Sequence, residues 1–239
     1  LEQVRPVSAI DGPESASGVT MTTRSGKVIT MYWAPDDHEE QDTVFEDGTV
    51  LSGPLAVVVD EKITTTGIRS MRCGDQSYTL PGTIKSPILD LDRQARTIDV
   101  VDIPHLKPGD RIRINPDGRG HNYGIDAVES LDSGRLRLTL DVTSLIGRSP
   151  VKTVEKDCIE LSMSIFARTG NLEQTRLQKE SDGTWTAITR AYNESPGRGA
   201  TSIHVQDVSK LGVLTPGTWL QVVDYVIGDQ VVFEPTTQL

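Results

Sequence analysis

Residues 97–114 read TIDVVDIPHLKPGDRIRI, and residues 201–222 read TSIHVQDVSKLGVLTPGTWLQV. In both, an alternating strand runs into an aspartate, then a turn, then Pro-Gly, then a second alternating strand. Ile98, Val100, Asp102, Pro108, Gly109, Ile112 and Ile114 match Ile203, Val205, Asp207, Pro216, Gly217, Leu220 and Val222. Proline presets φ at the first central position of a turn, and glycine accepts positive φ at the second. Each copy is therefore a strand, a corner and a returning strand. Two copies are too few for a solenoid. They are two similar corners of one sandwich, or they mark two small β modules.

Working outward, strand patterns continue in both directions. Residues 27–33 read KVITMYW, and residues 55–59 read LAVVV, a run suited to a buried strand. Residues 88–92 alternate as ILDLD. Residues 135–142 read RLRLTLDV, with leucines and Val142 on one face and Arg, Thr and Asp on the other. Residues 159–167 (IELSMSIFA) and 183–192 (GTWTAITRAY) add two more. Period-two alternation marks half-buried strands. Ser25-Gly26, Asp47-Gly48, Asp117-Gly118, Ser133-Gly134 and Asp182-Gly183 punctuate the runs as hairpin turns. Helix signals are almost absent. The best helical window, 171–180 (NLEQTRLQKE), places its two leucines five apart, off a common face, and reads as strand or loop. The expectation is an all-β fold, an antiparallel β-sandwich with Greek-key-like sheets and no long helix. The composition of 193–200 (NESPGRGA) suggests a linker. It divides a main β-sandwich domain, 1–192, from residues 193–239, a C-terminal β segment packing on it or a small second β module.

The formal charge of −10 argues against nucleic acid as a partner, since phosphate binding wants a basic footprint. No run of eighteen apolar residues exists, so no membrane span is expected. Cys73 and Cys158 form either one long-loop disulfide, contributing roughly 4 kcal/mol, or two buried thiols. Neither stands in a zinc or redox spacing. No metal-ligand signature, nucleotide loop or nucleophile elbow occurs, so neither metal nor cofactor is expected. The acidic run 36–42 lacks the glycine and spacing of a calcium loop, so the run, with its His38, reads as a solvated loop.

Arg119, His121, Asn122 and Tyr123 form the densest chemical cluster. On a strand, His121 and Tyr123 point to one face about 7 Å apart, with Arg119 at the hairpin mouth. Histidine and tyrosine serve as base and acid, and arginine neutralises a carboxylate, which is the set needed for β-elimination of a uronic-acid polymer. The same residues suit saccharide binding, with Asn122 hydrogen-bonding, and they also suit an ordinary polar hairpin. Trp33, Tyr32 and Trp185 are further sugar-platform candidates, because an amphipathic ring stacks on a pyranose. Trp219 reads as edge or core. His105 and His204 occupy unmatched positions in the two repeats and read as structural.

The segments IDVVDIPHLKPGDRIRI, DGRGHNYGIDAVES and RLRLTLDVTSLIGRSPV resemble a β-rich C-terminal region that accompanies heparinase II/III-like polysaccharide lyases. The likeness covers about a quarter of the chain. In that family catalysis lies between a helical toroid and a following β-sandwich, and this sequence contains no toroid. The resemblance therefore implies a noncatalytic module of a secreted or periplasmic carbohydrate-active protein, with polysaccharide and neighbouring domains of a larger parent as partners. None of the family's catalytic residues falls on a matching motif here. Two further classes remain: a lyase using His121, Tyr123 and Arg119, and an assembly module of a phage or cell surface whose β edges pair with other chains.

Overall fold

The computed structural model describes residues 1–34, 41–60, 62–114, 121–142, 145–165, 172, 175–193 and 199–239. The chain is all-β. Its strands are β1 (Gln3–Asp11), β2 (Ser17–Thr22), β3 (Val28–Trp33), β4 (Thr43–Phe45), β5 (Val50–Ser52), β6 (Leu55–Val59), β7 (Lys62–Thr66), β8 (Ser70–Cys73) and β9 (Gln76–Thr79). Next come β10 (Ile84–Asp92), β11 (Thr97–Val101), β12 (Arg111–Ile114), β13 (His121–Leu131) and β14 (Arg135–Leu140). Then follow β15 (Leu145–Glu155), β16 (Cys158–Ile165), β17 (Arg176–Lys179), β18 (Trp185–Asn193), β19 (Ala200–Val205), β20 (Trp219–Val223), β21 (Gln230–Phe233) and β22 (Thr236–Gln238). A 3-10 turn spans Val208–Leu211. Among the described residues no helix is long and apolar enough to cross a membrane.

The strands form antiparallel sheets of two kinds. One is a ten-stranded sheet in the order β22-β7-β6-β3-β2-β1-β4-β5-β8-β9. The other two close into six-stranded barrels, β10-β11-β14-β13-β12-β21 and β15-β16-β19-β18-β17-β20. Two compact units result. The first comprises Leu1–Ser86, Asp102–Lys107 and Val232–Leu239; the second comprises Pro87–Val101 and Pro108–Val231. The tail 193–239 supplies strands to all three sheets: β19 and β20 to the second barrel, β21 to the first and β22 to the large sheet.

The repeat seen in the sequence marks the two barrels. β11 and β12 carry the first copy, and β19 and β20 carry the second. Within each barrel the two repeat strands are not neighbours, because two other strands separate them on either side. The matched residues Ile98, Val100, Ile112 and Ile114 are buried, as are Ile203, Val205, Leu220 and Val222. Alternation therefore sends the same side of both copies into a barrel interior. Gly109 and Gly217 adopt φ of 92° and 90°, which explains glycine at both corners. The three extra residues of the second copy accommodate the 3-10 turn. Asp207 caps that turn, accepting from the Ser209 amide at 2.9 Å.

The second barrel fills with Val151, Ile159, Leu161, Leu177, Ile188, Ile203, Leu220 and Val222. Each fully buried aliphatic contributes about 1.5–3 kcal/mol. The first unit has its own core of Val7, Tyr32, Phe45, Leu51, Ala56, Ile63, Ile68 and Met71. Within the window 171–180, read as strand or loop, Arg176–Lys179 forms β17, while residues 171, 173 and 174 lie outside the described residues. Cys73 and Cys158 are free, half-buried thiols.

Candidate functional site

The alternation that fills the second barrel also builds its outer face. In β17 and β20 the sequences Arg176-Leu177-Gln178 and Trp219-Leu220-Gln221-Val222 send the leucines and valine inward. The alternate residues therefore lie on the opposite side, where Trp219 is exposed, Arg176 and Gln221 are half-buried and Gln178 is covered. Register then sets Arg148, Gln221, Gln178 and Trp185 side by side across β15, β20, β17 and β18. Trp219 stands two residues from Gln221 on β20. Strand spacing and rise separate the two tryptophan Cα atoms by about 12 Å.

Each indole is flanked by a guanidinium. Arg176 lies 4.6 Å from the Trp185 ring centroid, and Arg148 lies 4.9 Å from that of Trp219. Arg176 is fixed by two hydrogen bonds to Asp229, at 2.6 and 2.9 Å. Asp229 also accepts from the Val226 amide at 2.7 Å. Arg148 approaches Glu180 at 3.6 Å. Between the indoles, Gln221 Nε2 donates to Gln178 Oε1 at 2.9 Å, and Gln178 Nε2 donates to the Gly183 carbonyl at 2.8 Å. Trp185 and Trp219 keep 37% and 39% of their surface exposed. Beside Trp185, the hairpin Asp182 is held down to about 2 by the Lys179 ammonium and by donors from Thr184. The surface is thus two half-open indoles with the partly exposed Gln221 amide between them, anchored on the buried Gln178 amide, and with each guanidinium beside a carboxylate.

The other sequence candidates disperse. Arg119 lies outside the described residues, as do His38 and Asp117-Gly118. His121 begins β13 half-buried, opposite Ile114, and Asn122 is exposed. Tyr123 is fully buried. Its hydroxyl donates to the Asp224 carboxylate, and its ring meets Tyr225 edge-on at 5.4 Å. The parity of β13 turns Tyr123 and Ile125 into the barrel, so this tyrosine belongs to the core, where no polymer reaches it. Tyr32 is likewise interior. It donates to Asp47 at 2.5 Å, accepts from Thr49 at 3.2 Å and packs on Phe45, and burial first and the Asp47 bond second push its hydroxyl pKa upward. Trp33 is 45% exposed but belongs to the first unit, on a different sheet from Trp185. Trp219, read as edge or core, stands half-open.

A second cluster occupies another part of the second barrel. His204 Nδ1 lies 3.1 Å from Asp157, holding that carboxyl below its usual range, and the His204 ring meets Tyr192 at 5.6 Å. Cys158 pairs across the ladder with His204 and contacts Ser202 at 3.3 Å. Among the described residues no three His, Cys, Asp or Glu side chains are placed to hold a metal ion. No protein-family model, curated protein or solved structure matches the chain.

Proposed function

We propose that the chain is a noncatalytic binding module of a secreted or periplasmic carbohydrate-active protein, and that it holds polysaccharide on the Trp185–Trp219 face. The observation that supports this reading is the pair of half-open indoles about 12 Å apart on the outside of the second barrel, with the partly exposed Gln221 amide between them. Indole faces bind the apolar faces of pyranose rings, while amides pair with hydroxyl groups. Arg148 and Arg176 are each matched by a carboxylate, and the chain carries a charge of −10. A neutral glycan therefore suits this face better than a polyuronate. The elimination reading loses its support because Tyr123, its proposed acid, is interior.

Affinity electrophoresis through gels containing neutral β-glucan, neutral α-glucan or polyuronate tests the reading. Retardation by one neutral glycan is expected. Trp185→Ala and Trp219→Ala each remove about 1 kcal/mol of stacking, a fivefold weakening. Retardation unchanged in the double variant, or no retardation by any glycan, would remove the proposal. Release of products absorbing in the ultraviolet would restore the lyase reading.

A further inference from the structure

The large sheet has two faces of opposite fate. Its inner face carries Val7, Tyr32, Ala56 and Ile63 into the core of the first unit. Its outer face is set by the complementary parity. Register arranges that face in three cross-strand rows: Val4, Met21, Ile29, Val59 and Lys62; Pro6, Val19, Met31, Val57, Thr64 and Gln238; Ser8, Ser17, Trp33, Leu55, Thr66 and Thr236. Ten of these side chains are apolar and adjoin across β1, β2, β3 and β6. None of the ten is buried, and Val4 and Trp33 are 56% and 45% exposed. Isolated surface apolar residues are ordinary, but a contiguous apolar patch with a polar margin marks an interaction surface. The margin here is Lys62, Thr64, Thr66, Thr236 and Gln238 along one side, with Ser8 and Ser17 at one end.

We propose that this face is a self-association surface, on which a second copy of the chain packs sheet to sheet about a two-fold axis. Three features favour a second copy. First, the area suffices. The apolar residues and the polar margin together span six strands at about 4.8 Å and five residues at about 3.4 Å, roughly 500 Å² in flat projection. Two copies therefore cover roughly 1,000 Å² before side-chain relief is added, the threshold for a specific interface. Second, the ten apolar residues carry no charge. Copies that each bear −10 repel over most of their surface, and a face whose one charged side chain, Lys62, stands exposed at its margin lets them meet without an unpaired buried ion. Third, the same patch on both partners satisfies the isologous rule of two-fold dimers. The edge strands are less suited to the role, since β22 and β9 have only three and four residues to pair. A lipid surface would want a basic margin, whereas Lys62 is the one basic side chain of the three rows and the neighbouring Lys27 is engaged with Asp60 at 3.9 Å.

Sedimentation velocity between about 5 and 100 µM at physiological salt tests the proposal. The wild type is expected at twice its 26.1 kDa mass. Met31→Glu/Val57→Glu should sediment at the single mass with an unchanged far-ultraviolet spectrum, its dissociation constant raised at least a hundredfold. Val213→Glu, at the 82% exposed Val213 in the second unit, should dimerise like the wild type. Should the double variant lose its spectrum, Val57→Lys alone supplies the same readout. A wild type that stays monomeric throughout, as it would if the face serves a lipid or a different protein, overturns the proposal. So does a dimer that survives the charged variants.

Discussion

Arg176 joins the candidate binding face to the rest of its unit, and removing it has a calculable effect. Its guanidinium forms a two-pronged pair with Asp229, with both side chains largely covered at 19% and 12% exposure. It also stacks on Trp185. Breaking a fully buried pair costs about 3–5 kcal/mol, and exposed pairs are worth under about 1 kcal/mol. This partly covered pair falls between them, and the stack adds about 0.5–1 kcal/mol. Arg176→Ala is therefore expected to lose about 2–4 kcal/mol, a fall of about 6–12 °C in the midpoint for a unit of this size. Differential scanning calorimetry of Arg176→Ala, Asp229→Ala and the double variant provides the assay. The double variant should fall short of the summed single losses by at least about 1.5 kcal/mol, because each single variant strands the partner's charge. Losses that add to within about 0.5 kcal/mol, or a midpoint shift under about 1 °C, would refute the reasoning.

Two further outcomes follow from the geometry. Gly53 has φ of 133°, and a Cβ there would lie 2.7 Å from the Gly67 carbonyl oxygen and from the Ile68 Cα, so Gly53→Ala should cost more than about 3 kcal/mol. Soluble yield and thermal midpoint read this, and a wild-type midpoint would contradict it. Asp99 is nearly buried and is held below the ordinary carboxylate range, first by its hydrogen bond from Arg137 and then by Arg135. A depressed folded pKa means that its stabilisation is complete above the unfolded value of about 3.9 and is lost as acid carries the pH through the folded one. Asp99→Asn should therefore show a shallower fall in midpoint from pH 5 to pH 2 than the wild type, and parallel curves would dismiss the pair.

The all-β character was legible because hydrophobic parity and turn chemistry agreed along the chain. Gly48, Gly134 and Gly183 all take the positive φ that their dipeptides called for. The Pro-Gly repeat was legible as two related units, but ring closure was not, since closure depends on pairing between strands far apart in sequence. The run LAVVV read as buried on both faces. Only one side is covered, with Ala56 buried while Leu55, Val57 and Val59 stay partly open, and a continuous apolar run carries no parity to announce this. KVITMYW hid its parity the same way, so Tyr32 fell inside and Trp33 outside. The candidate face was missed because Arg148, Arg176 and Gln221 are ordinary residues until register aligns them. The alternation of RLQK and WLQV was the available clue. Trp185 was found because a hairpin turn precedes it directly.

Strand membership has one more consequence. The chain starts the ten-stranded sheet, leaves it to start the first barrel, leaves that to build the second barrel whole, then returns β21 to the first barrel and β22 to the sheet. The three bodies are nested like parentheses. The innermost, from Leu145 to Val223, is uninterrupted in sequence, and those two residues are ladder partners. Its entry and exit therefore lie side by side, the geometry in which a guest domain can be excised or exchanged while its host closes over a short turn. During synthesis the order is fixed as well: the first barrel lacks its sixth stave until the whole guest has been made.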